Sequence, residues 1–167
     1  SDLIESQGVF EAKIGDEVVF SGGEKDITYV CRSADCSGID PTRPCGQFQN
    51  GWSCYFAFSI ALKPEAAQRQ SDLTSSLEIV MDESGNEYLS QDLELFLDGA
   101  NVDVLKIGAD LKGRPVTDIQ ISGSGIGATQ QEATFNALED MKRLQTIMIT
   151  GSLPVKLNVV KTDVISP

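Results

Sequence analysis

All four cysteines of this chain, Cys31, Cys36, Cys45 and Cys54, fall between residues 31 and 54. Around them stand Gly38, Pro41, Pro44 and Gly46, with polar residues and few large apolar ones. Such a segment cannot bury a core of its own, and it is the kind of stretch that disulfides staple. Four-cysteine zinc is the rival reading. Structural zinc usually takes close pairs such as Cys-x-x-Cys, and the spacings here (31 to 36, 36 to 45, 45 to 54) fit that poorly. A redox pair would need the same close spacing. Two disulfides are the expectation, and they place the domain outside the cytosol.

Lys and Arg number 13 against 25 Asp and Glu, a formal charge of −12. Nucleic acid is therefore not an expected partner, because phosphate binding needs a basic footprint. Docking on anionic lipid through a polybasic face is disfavoured for the same reason. The chain has no histidine, which removes Ser-His-Asp and Cys-His sites, His-ligated zinc and the commonest general base. At 41% hydrophobic residues it can bury a real core. No apolar run reaches the roughly 20 residues that span a bilayer, and Ser1 opens neither a basic start nor an apolar signal core. The expectation is a soluble piece of a larger protein.

The hydrophobic pattern predicts two short strands, Gly8 to Ile14 and Glu17 to Ser21, turning at Gly15-Asp16, then a third from Ile27 to Cys31. From Cys54 the texture changes. Phe56, Phe58, Ile60 and Leu62 alternate with smaller residues in a half-buried strand, and Pro64 opens a helix. Leu93, Leu95 and Leu97 turn through Asp98-Gly99 into Val102, Val104 and Ile107, a hairpin. Val116, Ile119 and Ile121 form another strand, which Ser122 to Gly125 is expected to end. Thr129 to Glu132 is a capping box, followed by a helix with Ala133, Ala137, Met141, Leu144 and Met148 on one face and Gly151 at its close. Leu153, Val155, Leu157 and Val159 then alternate as a last strand.

The fold class is α+β: a ferredoxin-like (βαββαβ) base with an N-terminal β-rich, disulfide-stapled segment. Residues 1–53 form the cysteine-containing segment and residues 54–167 the base. Phe58, Ile60, Leu95, Leu97, Ile119, Ile121, Met141, Leu144, Leu157 and Val159 are the expected core. Cys31 ends one strand and Cys54 begins another, so if those strands are neighbours Cys31–Cys54 and Cys36–Cys45 are the expected disulfides, a nested pattern that is one of three possible.

Gly123-Ser124-Gly125-Ile126-Gly127 before a helix invites a phosphate-binding reading. It lacks the lysine of a P-loop and the acidic ribose partner of a dinucleotide fold, so it reads as a flexible lead-in to the capped helix. Asp82, Glu83, Glu87, Asp92, Glu94 and Asp98 lack the alternation of a calcium loop and read as a solvated face. Trp52 is either a recognition residue or packing for a disulfide. No nucleophile–base pair can be nominated, and neither catalysis nor a cofactor is expected.

The C-terminal run Gly151-Ser152-Leu153-Pro154-Val155-Lys156-Leu157, with Asp163-Val164-Ile165-Ser166-Pro167, resembles the end of the first large extracytoplasmic loop of SecD protein-export membrane proteins, in the archaeal version. Phe58 to Ala67, Leu95-Phe96-Leu97-Asp98-Gly99, Ile121-Ser122-Gly123 and Thr129 to Gly151 resemble further elements of that loop in the same order. The likeness covers about Cys54 to Pro167. It implies a non-catalytic domain on the extracytoplasmic side of the cell membrane, with SecF and the Sec channel as partners of the intact protein and unfolded secretory polypeptide as its contact. The preferred contact surface is the N-terminal strands and cysteine loop. An extracytoplasmic small-ligand or metal-binding domain, using the acidic stretch or the cysteines, is the alternative.

Overall fold

Residues 9–83 and 85–151 are described by the computed structural model. Its longest strand, β6 (Gly51–Leu62, 12 residues), follows from the alternation noted above: Cys54, Phe56, Phe58, Ile60 and Leu62 are buried while the residues between them are half-buried. β11 (Asp118–Gly127) pairs antiparallel along one side of it, from Asp118 opposite Ala61 to Gly127 opposite Trp52. Three short strands share the other side: β3 (Ile27–Val30) at the Leu62 end, β4 (Ser37–Ile39) against Phe56 to Phe58, and β5 (Cys45–Phe48) against Gly51 to Cys54. These five strands make one sheet.

A second, four-stranded sheet has the order β10-β9-β1-β2. It joins the hairpin β1 (Phe10–Ile14) and β2 (Glu17–Ser21) to the hairpin β9 (Leu93–Leu97) and β10 (Ala100–Leu105). Alternation on β1 and β9 coincides in register, so that Phe10 faces Leu97 and Ala12 faces Leu95, all four buried. At the β9–β10 turn both Asp98 (φ 54°) and Gly99 (φ 81°) are left-handed, the backbone that matches strand twist. A small hairpin, β7 (Ile79–Met81) with β8 (Glu87–Leu89), hangs from the first residues after β10 through Leu89 N–H donating to Ile107 O.

Helix α1 (Pro64–Thr74) starts with proline in its first turn, where no N–H is missed, and buries Ala66, Ala67, Gln70, Ser71 and Thr74. Arg69 ties it to the second sheet, donating from Nε to Val19 O and pairing at 2.9 Å with the buried Asp26, whose other oxygen accepts from Ser21 N–H. Helix α2 (Gln130–Thr150) opens on the expected capping box. Thr129 Oγ1 accepts from Glu132 N–H, and the Glu132 carboxylate accepts from Ala128 N–H. Gly151 closes it in the left-handed conformation.

The packing of α2 corrects the reading of residues 123–127. They are not a flexible lead-in: β11 continues through them to Gly127. Glycine is required because the helix backbone lies directly on the strand. A Cβ at Gly125 would meet the backbone of Ala137, and one at Gly127 would come within 2.6 Å of Ala133 N. Close approach, not freedom, explains these glycines.

The fold is α+β, with two helices and three sheets among the described residues. Phe58, Ile60, Leu95, Leu97, Ile119, Ile121, Met141 and Leu144 are buried as expected. Leu157 and Val159, with the expected strand 153–160, lie outside the described residues. The acidic stretch holds β8, paired with β7 just before it, a hairpin that its composition did not announce. Substituting Gly125 by alanine should destabilise the chain by roughly 1–3 kcal/mol, whereas Gly46→Ala, with nothing within 4 Å of the new atom, should change stability by less than about 0.5 kcal/mol. Chemical denaturation of the two variants checks this. Phe58→Ala, which empties a core site, should cost roughly 3–5 kcal/mol.

Candidate functional site

The cysteines form two disulfides, Cys31–Cys36 and Cys45–Cys54. This corrects the nested pairing, and the strand register explains why. β3 and β6 are neighbours as expected, but Cys31 N–H donates to Ser59 O, so Cys31 lies beside Ser59 rather than Cys54. Five residues of strand separate those positions, about 17 Å at 3.3 Å per residue, far beyond the ~7 Å that a disulfide spans between Cα atoms. Cys54 instead faces Cys45 directly across the β5–β6 hairpin, with Cα atoms 4.0 Å apart. Cys31 closes locally onto Cys36.

Both disulfides sit against α2. Thr134 Oγ1 lies 3.3 Å from Cys54 Sγ, and the buried Gln145 donates to Cys31 O at 2.8 Å. Eleven helical residues cover about 16.5 Å, the same length as the five strand residues between Cys54 and Ser59, so one helix holds the cysteine segment at both ends. Between the disulfides, Asp40 organises the loop by accepting from the Thr42 amide and hydroxyl. Burial would raise its carboxyl, but those hydrogen bonds and Arg43 outweigh burial and hold it below the ordinary carboxylate value.

Two surfaces stand out beyond this frame. Beside the Cys45–Cys54 bridge, the exposed Phe48 (44%) and Ile126 (61%) flank a shallow hollow with Tyr55. Trp52 is partly buried against the core. The larger feature is a groove of about 820 Å³ between β10 and β11, each the last strand of its sheet. Leu105, Ile107, Ile119 and Ile121 line it. Asp82, Asp103, Asp110, Asp118 and Asp140 also line it against the basic Arg43 and Lys106, so the lining is acidic on balance. Gln70 lines it too; its buried Oε1 has no hydrogen-bond partner among the described residues, while its Nε2 donates to Leu111 O.

Asp103 bridges the groove to α2. It accepts from Val104 N–H and stands 3.8 Å from Arg143, which also holds Asp140 at 2.7 Å. Burial, with the like charge of Asp140, pushes the Asp103 carboxyl up, against the opposing pull of Val104 N–H and Arg143. Sequence reading singled out neither Gln70, Asp103 nor Arg143, since each draws its role from a neighbour distant in sequence. Nor did it mark the β11 edge, although one signal was present: from Ile119 to Gly127 there is no charge and no proline.

The cluster Cys31, Asp35 and Cys36 is the one set of metal-ligand types that converges among the described residues, and its sulfurs are joined in a disulfide. The arrangement is that of a disulfide-bonded α+β domain with sheet edges and apolar surface available for binding. Compared with known proteins, the chain is similar to the protein-export membrane protein SecD of Methanothermobacter thermautotrophicus, 26% identical over 168 aligned positions. The likeness covers all of this chain, which spans 33% of that relative's length. No family model matches, and no solved structure matches. Among the described residues no helix is long and apolar enough to cross a membrane.

Disulfide mapping of non-reduced peptides should recover Cys31–Cys36 and Cys45–Cys54; a Cys31–Cys54 peptide would contradict the register of β3 on β6. Asp103 supplies a pH test. Its raised folded-state value favours the protonated form, so its contribution is full below the unfolded value of about 3.9 and is lost as pH rises through the folded value. Asp103→Asn should therefore gain melting temperature relative to the native chain between pH 4 and pH 7. A constant difference across that range would show that Asp103 is not raised.

Proposed function

We propose that this chain is an extracytoplasmic domain of a Sec protein-export accessory subunit that contacts translocating polypeptide and assists export without catalysing a reaction. The observation that carries this reading is the likeness to SecD along the whole chain. SecF and the Sec channel are the proposed partners of the intact membrane protein. Two disulfides suit an oxidising compartment and support the extracytoplasmic side. The absence of histidine from the chain, and of any assembled nucleophile–base pair among the described residues, supports binding rather than chemistry. Exposed Phe48 and Ile126 beside the Cys45–Cys54 bridge support a contact on the cysteine-loop side.

The ferredoxin-like base of residues 54–167, with residues 1–53 added to it, is part of the same proposal. Its support is the order strand β6, helix α1, strands, strand β11, helix α2, with β6 and β11 antiparallel. The metal-binding alternative is weaker on physical grounds, because disulfide sulfurs offer no thiolate.

Weak affinity is expected, since ordering an unfolded chain offsets much of the contact energy. Titration of the chain with unfolded and native forms of one secretory protein should show binding of the unfolded form alone. Equal affinity for both forms, or turnover of any substrate, would contradict the proposal.

A further inference from the structure

The outer side of β11 is a sheet edge of unusual character. Its ten residues pair with β6 alone among the described residues, and only the Ile126 carbonyl has a further partner, the Asn136 side chain at 2.8 Å. Proteins blunt such edges with lysine, proline, bulges or a covering element. From Ile119 to Gly127 this edge carries none of those residues, and its register on β6 runs without a bulge. Glycine and serine at 122–125 leave it low, because α2 packs on one face of the strand at Gly125 and the Phe56 ring fills the space at Gly123. The edge runs from the exposed Ile126, beside Phe48, into the groove that separates it from β10.

We infer that the β11 edge takes an extended peptide as an added strand, and that the preferred peptide carries both apolar and basic side chains. The inference rests on the reading of the chain as a polypeptide-contacting domain and names where and what it contacts. Main-chain hydrogen bonds to β11 supply affinity that is indifferent to sequence. Selectivity comes from the groove beside the edge, which sets the apolar Ile107, Ile119 and Ile121 among five aspartates and only two basic residues, Arg43 and Lys106.

The test uses two nine-residue peptides, one alternating valine with lysine and one alternating valine with glutamate. Amide hydrogen exchange of the 167-residue chain is followed residue by residue. The amides of Ile119, Ile121, Gly123 and Gly125 bond to β6, so the valine–lysine peptide should slow exchange at the outward-facing Gln120, Ser122 and Ser124, and added salt should weaken it. The valine–glutamate peptide should bind about tenfold or more weakly, and Ser124→Lys should weaken the valine–lysine peptide by a similar factor. Equal binding of the two peptides, or protection confined to other strands, would overturn the inference. So would slow exchange of the Gln120, Ser122 and Ser124 amides before any peptide is added, which would mean that another part of the chain takes the edge. If unfolded secretory protein binds while these three amides stay unprotected, the proposed function stands and this placement fails. If the peptide protects the edge but unfolded protein does not bind, the reverse holds.

Discussion

The pairing of β6 is the constraint on which the rest of the structure depends. Its twelve residues carry β11 on one side and β3, β4 and β5 in succession on the other, so four strands take their register from one. That register decides the disulfides: it sets Cys45 opposite Cys54 and carries Cys31 up to Ser59. The same alternation turns Phe56, Phe58 and Ile60 inward to the core that α2 covers with Ala137, Met141 and Leu144. Slipping the strand by one residue would turn all of them to the other face at once.

The proposed contact with polypeptide rests on what this arrangement leaves unpaired among the described residues. β6 is paired on both sides, whereas β10 and β11 are each an end strand of their sheet among the described residues and face each other across the groove. The close packing of α2 on Gly125 and Gly127 makes β11 nearly bare of side chains, and a bare edge offers its backbone. Acidic residues around the groove give it a sign, in keeping with the charge of the whole chain. None of this needs a catalytic group.

Much of the local structure was legible because local rules decide it. Alternation gave β1, β2, β6 and β9, the Asp98-Gly99 pair gave its hairpin turn, and the Thr129–Glu132 box placed the start of α2. What escaped was set by partners far along the chain. The β9–β10 hairpin pairs with β1, more than eighty positions earlier, and no periodicity within either segment records that choice. The disulfide pattern depended on register rather than on which strands are neighbours. Residues 123–127 looked flexible because glycine serves both loose loops and tight contacts, and only the position of α2 distinguishes them. Gln70 and Asp103 are ordinary surface-type residues in sequence, and they gain their roles where α1, β10 and α2 border the groove.

Native-state hydrogen exchange tests the central place of β6 most directly. Amides of Cys54 to Leu62 that bond to neighbouring strands should be the slowest in the chain. They should open only with global unfolding, together with the amides of α2 that lie over them. Early exchange along β6 while the β10-β9-β1-β2 sheet stays protected would contradict the account, because it would show the four-stranded sheet holding the fold without the strand on which the rest is said to depend.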